Sequence, residues 1–254
     1  MQFHMSVPRL SLNSYVRWLA LAILFMFPAY ACAWDVTYDG SVLPNDPTLG
    51  ANAWQLHDYY APNDLSKTTA ADGMLHVVDE WSDRAVTFSR EGDYLPTGSS
   101  VTVEARVKVL SGSNELSFLS PVFFGVQVGQ GANAQVYLWP DRVGTRYSGN
   151  NAFTVVTLDM TQYHTIRLAM GPQATFSVWV DEALLFTGTP LPGRRGSAVY
   201  FTSGLLEQAI SDSYWDYVRY SKAYLPVPEP SGLLALAGGM SGMLALSRRR
   251  SSAR

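Results

Sequence analysis

The fold is decided by residues 101–109, Val101-Thr-Val-Glu-Ala-Arg-Val-Lys-Val109. Every odd-numbered position is Val or Ala, whereas the even-numbered positions are Thr, Glu, Arg and Lys. Successive side chains of a β-strand point to opposite faces, so this strict period of two predicts a strand with one face on the core and one in water. The charged side chains, Glu104, Arg106 and Lys108, are therefore expected on a solvent-facing sheet surface.

Short stretches of the same kind recur between turns of Gly, Pro, Asn and Asp, and no helical period extends beyond two turns. Residues 62–71 are polar and are expected to form a loop, and Asp181-Glu182 is expected to be the turn of a hairpin. The sequence predicts an all-β fold, a two-sheet antiparallel jelly-roll sandwich over residues 34–225. Besides residues 101–109, its predicted strands are 34–38, 54–57, 74–78, 84–89, 118–128, 134–139, 142–147, 153–158, 163–170, 175–180, 183–186, 197–202 and 213–224.

Three segments give this body a resemblance to the concanavalin A-like lectin/glucanase superfamily, in its laminin-G-like branch. They are Val103-Glu-Ala-Arg-Val-Lys-Val109, Phe176-Ser-Val-Trp-Val-Asp-Glu-Ala-Leu-Leu-Phe186 and Trp215-Asp-Tyr-Val-Arg-Tyr220, in that order. The resemblance implies one concave sheet, with glycans bound in its groove or on the loops at its rim.

The first 33 residues are those of a secretory signal peptide. Arg9 and Arg17 precede the apolar run Trp18–Phe27, and Ala31 and Ala33 provide small residues at positions −3 and −1 of a cleavage site. We expect a signal helix over residues 1–33, removed by signal peptidase after Ala33.

The last 29 residues form a second targeting segment. Pro228-Glu229-Pro230 precedes the uncharged run Ser231–Leu246, and Arg248, Arg249 and Arg250 follow. A bilayer span needs about 17 residues or more, so residues 231–247 suffice for a short transmembrane helix. The arginines place their end of this helix in the cytoplasm and the body on the other side of the membrane.

The order of these tail elements resembles the PEP-CTERM sorting signal. The resemblance covers residues 226–254 and implies an exosortase as partner, in a Gram-negative bacterium that makes exopolysaccharide. It also implies an inner-membrane anchor before processing and a place on the cell surface or in the extracellular matrix afterwards. A plain C-terminal anchor is the alternative interpretation.

The charge of the body disfavours nucleic acid as a partner. The whole chain carries a net charge of −3. The signal segment contributes two positive charges and the tail three, which leaves −8 for residues 34–225. Phosphate backbones are bound by clustered Lys and Arg, so an acidic body does not fit them.

No catalytic motif is found in the sequence. Retaining glycoside hydrolysis needs two carboxyl groups about 5–5.5 Å apart, and laminarinase-type relatives place them as Glu-x-Asp-x-Glu, which is absent here. Asp79-Glu-Trp-Ser-Asp83 has similar spacing without the matching acids. His57, His76 and His164 stand alone, without the spacing of a zinc site. We therefore predict neither catalytic residues nor a metal site, and leave enzymatic activity open.

Calcium is the cofactor that the resemblance makes possible, although no cofactor is predicted. Laminin-G-like relatives often hold Ca²⁺ at the sheet rim through Asp side chains and carbonyl groups. Asn45-Asp46, Asn63-Asp64 and Asp141 are the loop candidates. Each is at least as well explained as an Asx-turn residue.

A glycan site is predicted from side chains on the polar faces of several strands. Aromatic rings stack on sugar faces, and fixed polar groups hold the hydroxyls. If these faces share the concave sheet, they form one groove. The alternative is that the tryptophans cover the edge of the core or pair across strands. Trp215, Asp216 and Arg219 are interpreted as packing and registering the last strand. The candidate glycan-binding residues are Glu104, Arg106, Tyr137, Trp139, Arg167 and Trp179.

Three functions follow from these patterns. The first is an exported surface or biofilm-matrix protein, sorted by an exosortase, whose sandwich binds a polysaccharide. The second is a glycoside hydrolase or polysaccharide lyase with an unusual site. The third is a structural matrix protein that binds no ligand.

Overall fold

A computed structural model of the protein describes residues 34–58, 65, 67–79, 86–90, 95–112, 122–129, 132–148, 150–192, 198–203 and 211–225. These residues form strands and one short 3-10 helix, Pro47–Asn52, arranged as two antiparallel sheets. The all-β, two-sheet sandwich predicted from the sequence is confirmed. The signal segment with Ala31 and Ala33, and the tail with its Pro-Glu-Pro and arginine elements, lie outside the described residues. Within the described residues, no helix is long and apolar enough to cross a membrane.

Sheet A has the strand order β13-β12-β11-β6-β15-β4-β3, and β1 pairs with the C-terminal half of β15. The decisive strand, β6, lies in the middle of this sheet, between β11 and β15. The strands of sheet A are β1 (Val36–Tyr38), β3 (Thr68–Ala71), β4 (Met74–Asp79), β6 (Val101–Gly112), β11 (His164–Met170), β12 (Phe176–Val180), β13 (Ala183–Gly188) and β15 (Ser211–Ser221).

Sheet B has the order β10-β9-β8-β7-β14-β5-β2. Its neighbouring strands β7, β8, β9 and β10 are consecutive in the chain, so only a few residues separate each strand from the next. The strands of sheet B are β2 (Gln55–Asp58), β5 (Val86–Ser89), β7 (Val122–Val128), β8 (Ala132–Trp139), β9 (Arg142–Tyr147), β10 (Asn150–Thr157) and β14 (Ala198–Ser203).

The core lies between the two sheets. All five apolar positions of β6 from Val101 to Val109 are fully buried. Trp215 of sheet A contacts two rings of sheet B, with centroid distances of 5.0 Å to Phe201 and 6.4 Å to Phe124. Trp54 packs edge-on against Phe201 at 5.1 Å. Stacked sheets pack about 10 Å apart, a gap that large aromatic side chains from both sides fill.

Two sequence predictions differ from the structure in this part of the fold. Residues 62–71 were expected to form a loop, but Thr68–Ala71 is an edge strand paired with β4. An edge strand that contributes little to the core does not need large apolar residues at alternate positions. The Thr-Thr-Ala-Ala sequence of this strand therefore lacks the pattern that predicts a strand. The polar face of β6 was expected in water, yet Glu104 is only 1% exposed. Other side chains therefore cover the outer face of sheet A at this point.

Candidate functional site

A row of side chains crosses the outer face of sheet A and forms the floor of a pocket. Trp179 on β12 lies opposite Arg167 on β11, Arg167 lies opposite Glu104 on β6, and Glu104 lies opposite Arg219 on β15. Directly opposed residues in a sheet have Cβ atoms about 4.5–5.5 Å apart, so these side chains contact one another. We call these four residues the Glu104 row.

The Glu104 carboxylate lies between two guanidinium groups. Arg167 donates to Oε2 from Nε and approaches it with Nη2, both at 2.6 Å. Arg219 donates to Oε1 from Nε at 3.0 Å and from Nη2 at 2.6 Å. The Tyr217 hydroxyl also donates to Oε1, at 2.9 Å. A carboxylate offers about four lone-pair directions. Glu104 is therefore fully engaged and orients the arginines, with no acceptor position left for a ligand.

Aromatic rings hold the arginines in place. The Trp34 ring centroid lies 4.4 Å from the Arg219 guanidinium carbon and 5.7 Å from that of Arg167. The Tyr217 ring lies 4.8 Å from the same Arg219 carbon. Burial raises the pKa of the Tyr217 hydroxyl, and the nearby Glu104 carboxylate raises it further. Tyr217 thus remains a neutral donor at physiological pH.

Arg219 retains donors for a ligand. Its Nε and Nη2 atoms are used by Glu104, and within the described part of the chain its Nη1 atom has no hydrogen-bond partner. The Arg219 side chain is 31% exposed, compared with 2% for Glu104. A ligand in the pocket can accept a hydrogen bond from this guanidinium without displacing Glu104.

The turn between β12 and β13 forms an acidic rim. Val180 pairs with Ala183, so Asp181 and Glu182 make a two-residue hairpin turn, as predicted. Both have positive φ, 47° and 70°, as a type I′ turn requires. Asp181 accepts a hydrogen bond from the Thr165 backbone N–H at 2.9 Å. Its other oxygen lies 2.5 Å from His164 Nδ1. These contacts fix the turn beside the row.

The pocket above the row has a volume of about 430 Å³, within the range of roughly 300–1,000 Å³ typical of small-ligand pockets. It combines two aromatic side chains, guanidinium donors on its floor and carboxylate acceptors at its rim, a mixture that can hydrogen-bond sugar hydroxyls. Its lining residues are Glu104, Thr165, Arg167, Trp179, Asp181, Glu182, Tyr217 and Arg219.

Three of the six predicted glycan residues, Glu104, Arg167 and Trp179, meet in this pocket. Arg106 lies on the same face but is not part of the lining. It pairs with Asp216, and its guanidinium carbon lies 4.8 Å from the Tyr163 ring centroid.

The other two predicted residues, Tyr137 and Trp139, lie on sheet B and do not share a groove with Glu104. Trp139 is fully buried, and Tyr137 is 3% exposed. They stack on each other at 6.2 Å, and Phe153 packs edge-on against both, at 4.9 Å from Tyr137 and 5.5 Å from Trp139. The single groove predicted from the six residues is therefore wrong. Tyr137 also stacks across strands on Phe123 at 5.7 Å, which agrees with the alternative interpretation that these rings pair across strands.

Five pocket residues were not predicted to bind a ligand: Thr165, Asp181, Glu182, Tyr217 and Arg219. Trp215, Tyr217 and Arg219 would share one face of a regular strand, but the pairing of β15 with β6 shifts between Trp215 and Tyr217. This bulge keeps Trp215 in the core and turns Tyr217 and Arg219 outward. Burial shows the change of phase, since the buried residues pass from odd positions (Ser213, Trp215) to even ones (Val218, Tyr220).

Two of the loop residues considered for calcium, Asp46 and Asp141, each contact other side chains or backbone groups close to them in the chain. Asp46 caps the 3-10 helix by accepting from the Thr48 N–H at 2.8 Å and from its hydroxyl at 2.6 Å, which is the Asx-turn role. These hydrogen bonds lower the pKa of the Asp46 carboxyl. Asp141 lies 3.5 Å from Arg142 Nε. Residues 63–64 lie outside the described part of the chain. Among the described residues, no three His, Cys, Asp or Glu side chains gather as a metal site would require.

Comparisons with known proteins extend only to the fold. No protein-family model matches the chain, and no curated protein does. Solved structures with a similar fold include the metal-free Emp46p carbohydrate recognition domain, which is 12% identical in sequence. That match covers 76% of this chain and 99% of the Emp46p domain, with a TM-score of 0.47. An endo-1,3-beta-glucanase from Streptomyces sioyaensis has 11% identity, 74% and 95% coverage, and a TM-score of 0.48. A sialidase has 9% identity, 72% and 18% coverage, and a TM-score of 0.49. Such distant likenesses assign no activity to this chain.

Proposed function

We propose that this chain is an exported cell-surface or biofilm-matrix protein, sorted by an exosortase, whose β-sandwich binds a glycan in the pocket above the Glu104 row. The export and sorting parts of the proposal rest on the signal-like residues 1–33 and on the tail elements in residues 226–254. The binding part rests on the pocket. The partners are then signal peptidase, an exosortase and a polysaccharide.

One observation carries the binding proposal: an arginine pair is fixed beside aromatic rings in an open pocket. Glu104 holds Arg167 and Arg219 from below, so their remaining donors are oriented before a ligand arrives. Pre-organised donors lose less conformational entropy on binding than mobile side chains do. Tyr217 provides ring surface next to these donors, and Trp179, which is 7% exposed, adds only an edge of its ring.

Binding is tested with the full-length protein and two substitutions that act on the pocket in different ways. Arg219→Met removes the free guanidinium donors but keeps much of the side-chain volume, and Glu182→Gln removes one rim charge at an exposed turn. Lys67→Met is the charge-matched control, because Lys67 is exposed at the beginning of the edge strand β3. The readout is retention on a glycan array, followed by titration calorimetry with the retained glycans.

Arg219→Met is expected to weaken binding about 10–100-fold, since a hydrogen bond to a charged group contributes roughly 1.5–3 kcal/mol. Glu182→Gln should have a smaller effect and Lys67→Met none. If both pocket variants bind as tightly as the wild type while remaining folded, the glycan does not occupy this pocket. If the wild type retains no glycan, the binding proposal is wrong.

The sorting proposal has its own test in a host that carries an exosortase. Replacing Pro228, Glu229 and Pro230 by alanine is expected to leave the unprocessed chain in the membrane fraction, whereas the wild-type chain is shortened. Equal processing of the two chains would contradict the proposal.

A further inference from the structure

Lys108 is a further cation on the outer face of sheet A, two rows away from the pocket. Lys108 is on the same face of β6 as Glu104 and four residues further along the strand. A strand rises about 3.3 Å per residue, so the two positions are about 13 Å apart. An oligosaccharide of a few sugar units spans this distance.

Lys108 is held between two tyrosine rings. Its ammonium nitrogen lies 4.9 Å from the Tyr163 ring centroid and 4.5 Å from that of Tyr214, which is directly opposite on β15. Both distances are within the range of about 6 Å for an attractive cation–π contact. The rings hold the cation in place but cannot neutralise its charge.

The rings are themselves fixed from their far sides. Tyr214 stacks on His76 with a centroid distance of 4.0 Å and an interplanar angle of 9°. His76 Nε2 lies 2.8 Å from Asp212 Oδ1. The Tyr163 hydroxyl donates to Met74 Sδ at 2.9 Å. We call Tyr163, Lys108, Tyr214 and His76 the Lys108 stack.

Lys108 differs from its charged neighbours in having no acidic partner. Arg106 pairs with Asp216, and Arg167 and Arg219 share Glu104. Within the described ranges, no carboxylate lies within ion-pair distance of the Lys108 ammonium, whose contacts are the two rings. The two nearby acids, Asp212 and Asp216, are each engaged by another side chain. Lys108 therefore has a fixed position and, among the described residues, no ion-pair partner.

We infer that the Lys108 stack is a subsite for an oxyanion substituent, carboxylate or sulfate, on the same saccharide chain that the pocket binds. This inference rests on the proposed glycan-binding function and specifies its ligand as an acidic polysaccharide. A lysine binds such a group as a point charge. The body as a whole is acidic, −8 over residues 34–225, so its long-range field repels a polyanion and attraction comes only from this local site.

The test uses the full-length protein and three oligosaccharides of equal length: a polyuronate, its carboxyl-reduced form and the sulfated carboxyl-reduced form. The variants are Lys108→Met, with Lys108→Arg as the conservative rescue and Lys67→Met as the control for loss of one positive charge. Affinity is measured by calorimetry at several salt concentrations, and urea unfolding verifies that each variant is folded.

The inference predicts that the wild type binds an anionic oligosaccharide about tenfold more tightly than the neutral form, with an affinity that falls as salt rises. Lys108→Met should lose this preference and its salt dependence while keeping affinity for the neutral form. Lys108→Arg should restore both, and Lys67→Met should change neither. A preference for the polyuronate alone identifies the substituent as carboxylate, and a preference for the sulfated form alone identifies it as sulfate.

Equal binding of all three oligosaccharides, or an anionic preference that survives Lys108→Met, would overturn the subsite. In both cases the protein still binds a glycan, so the proposed function stands, and the pocket variants decide separately where the glycan lies. If the protein binds none of the three, the acidic-ligand inference is wrong, and the glycan array decides separately whether the protein binds any glycan.

Discussion

Replacing Glu104 by glutamine is the most direct test of how the pocket is built. The side chain keeps its size, but the carboxylate that receives donors from Arg167, Arg219 and Tyr217 is lost. Removing one partner of a buried ion pair costs roughly 3–5 kcal/mol. The Glu104 side chain is 2% exposed, but those of Arg167 and Arg219 are 19% and 31% exposed, so water partly solvates the arginines once they are unpaired. We therefore expect a loss of about 2–3 kcal/mol.

The loss is measured by urea unfolding of the full-length protein, followed by tryptophan fluorescence, because urea adds no ionic screening. Glu182→Gln is the matched control: it makes the same chemical change at an exposed turn beside the same pocket, and it should alter the free energy of unfolding by less than about 0.5 kcal/mol. For a domain of this size the Glu104→Gln loss corresponds to a fall in Tm of about 4–12 °C.

The dependence on salt distinguishes loss of the buried Glu104–arginine pairs from the effect of removing one negative charge from the protein. Buried pairs are screened much less than exposed ones, so the difference between wild type and Glu104→Gln should persist in 0.5 M salt, a concentration that weakens exposed pairs. If Glu104→Gln were as stable as Glu182→Gln, the Glu104 carboxylate would not be organising the arginines. The reasoning from its burial and its donors would then be refuted.

Three further variants test other parts of the sandwich by urea unfolding. Gly125→Ala should lose about 1–3 kcal/mol, since a Cβ at this position would lie 2.5 Å from the Ala134 carbonyl oxygen, and unchanged stability would contradict the close approach of β7 and β8. Burial raises the pKa of Tyr137 to about 12, whereas an unfolded tyrosine titrates near 10. The folded protein therefore holds the Tyr137 proton more tightly than the unfolded chain does. The stability that this difference contributes is complete below pH 10 and is lost between pH 10 and 12. Between pH 10 and 12 the unfolding free energy of Tyr137→Phe should therefore fall less than that of the wild type, by up to about 2–3 kcal/mol. An equal fall of the unfolding free energy with pH in both proteins would argue against burial of the hydroxyl. Glu182→Gly should stabilise the protein by about 0.5 kcal/mol, because Glu182 has a φ of 70°, which strains a residue that has a side chain but not glycine. A loss of stability would show that the Glu182 side chain contributes more than this backbone strain costs.

The strands could be predicted from the sequence because burial imposes a simple period. In residues 101–109, every apolar position faces the core and is fully buried. The hairpin turn at Asp181 and Glu182 was also predictable, since two polar residues between strand-like flanks suit a two-residue turn. The edge strand Thr68–Ala71 was not, because an edge strand with small, polar side chains contributes too little to the core to show this period.

The grouping of the site residues could not be predicted by the same reasoning. A period of two says which side chains share a face of one strand, but not which sheet the strand joins. Glu104 and Tyr137 both lie on polar faces, yet they belong to different sheets. A bulge adds a second difficulty, because one extra residue reverses the phase of every side chain beyond it. Arg219 was interpreted as a packing residue of the last strand, although its guanidinium keeps a donor for a ligand in the pocket.

The two ends of the described body both meet the Glu104 row, which links the pocket to the proposed processing of the chain. Trp34, the residue that would follow signal-peptide cleavage, covers Arg219 at 4.4 Å. The Leu225 carbonyl accepts from Arg167 Nη1 at 3.3 Å, and the Leu225 N–H donates to Thr102 Oγ1 at 2.8 Å. Because the proposed sorting tail begins directly after Leu225, cleavage close to that boundary would change a chain segment that contacts an arginine of the pocket. Glycan affinity should therefore differ between the processed and the unprocessed chain. Equal affinities would show that the Arg167–Leu225 contact does not link tail processing to binding.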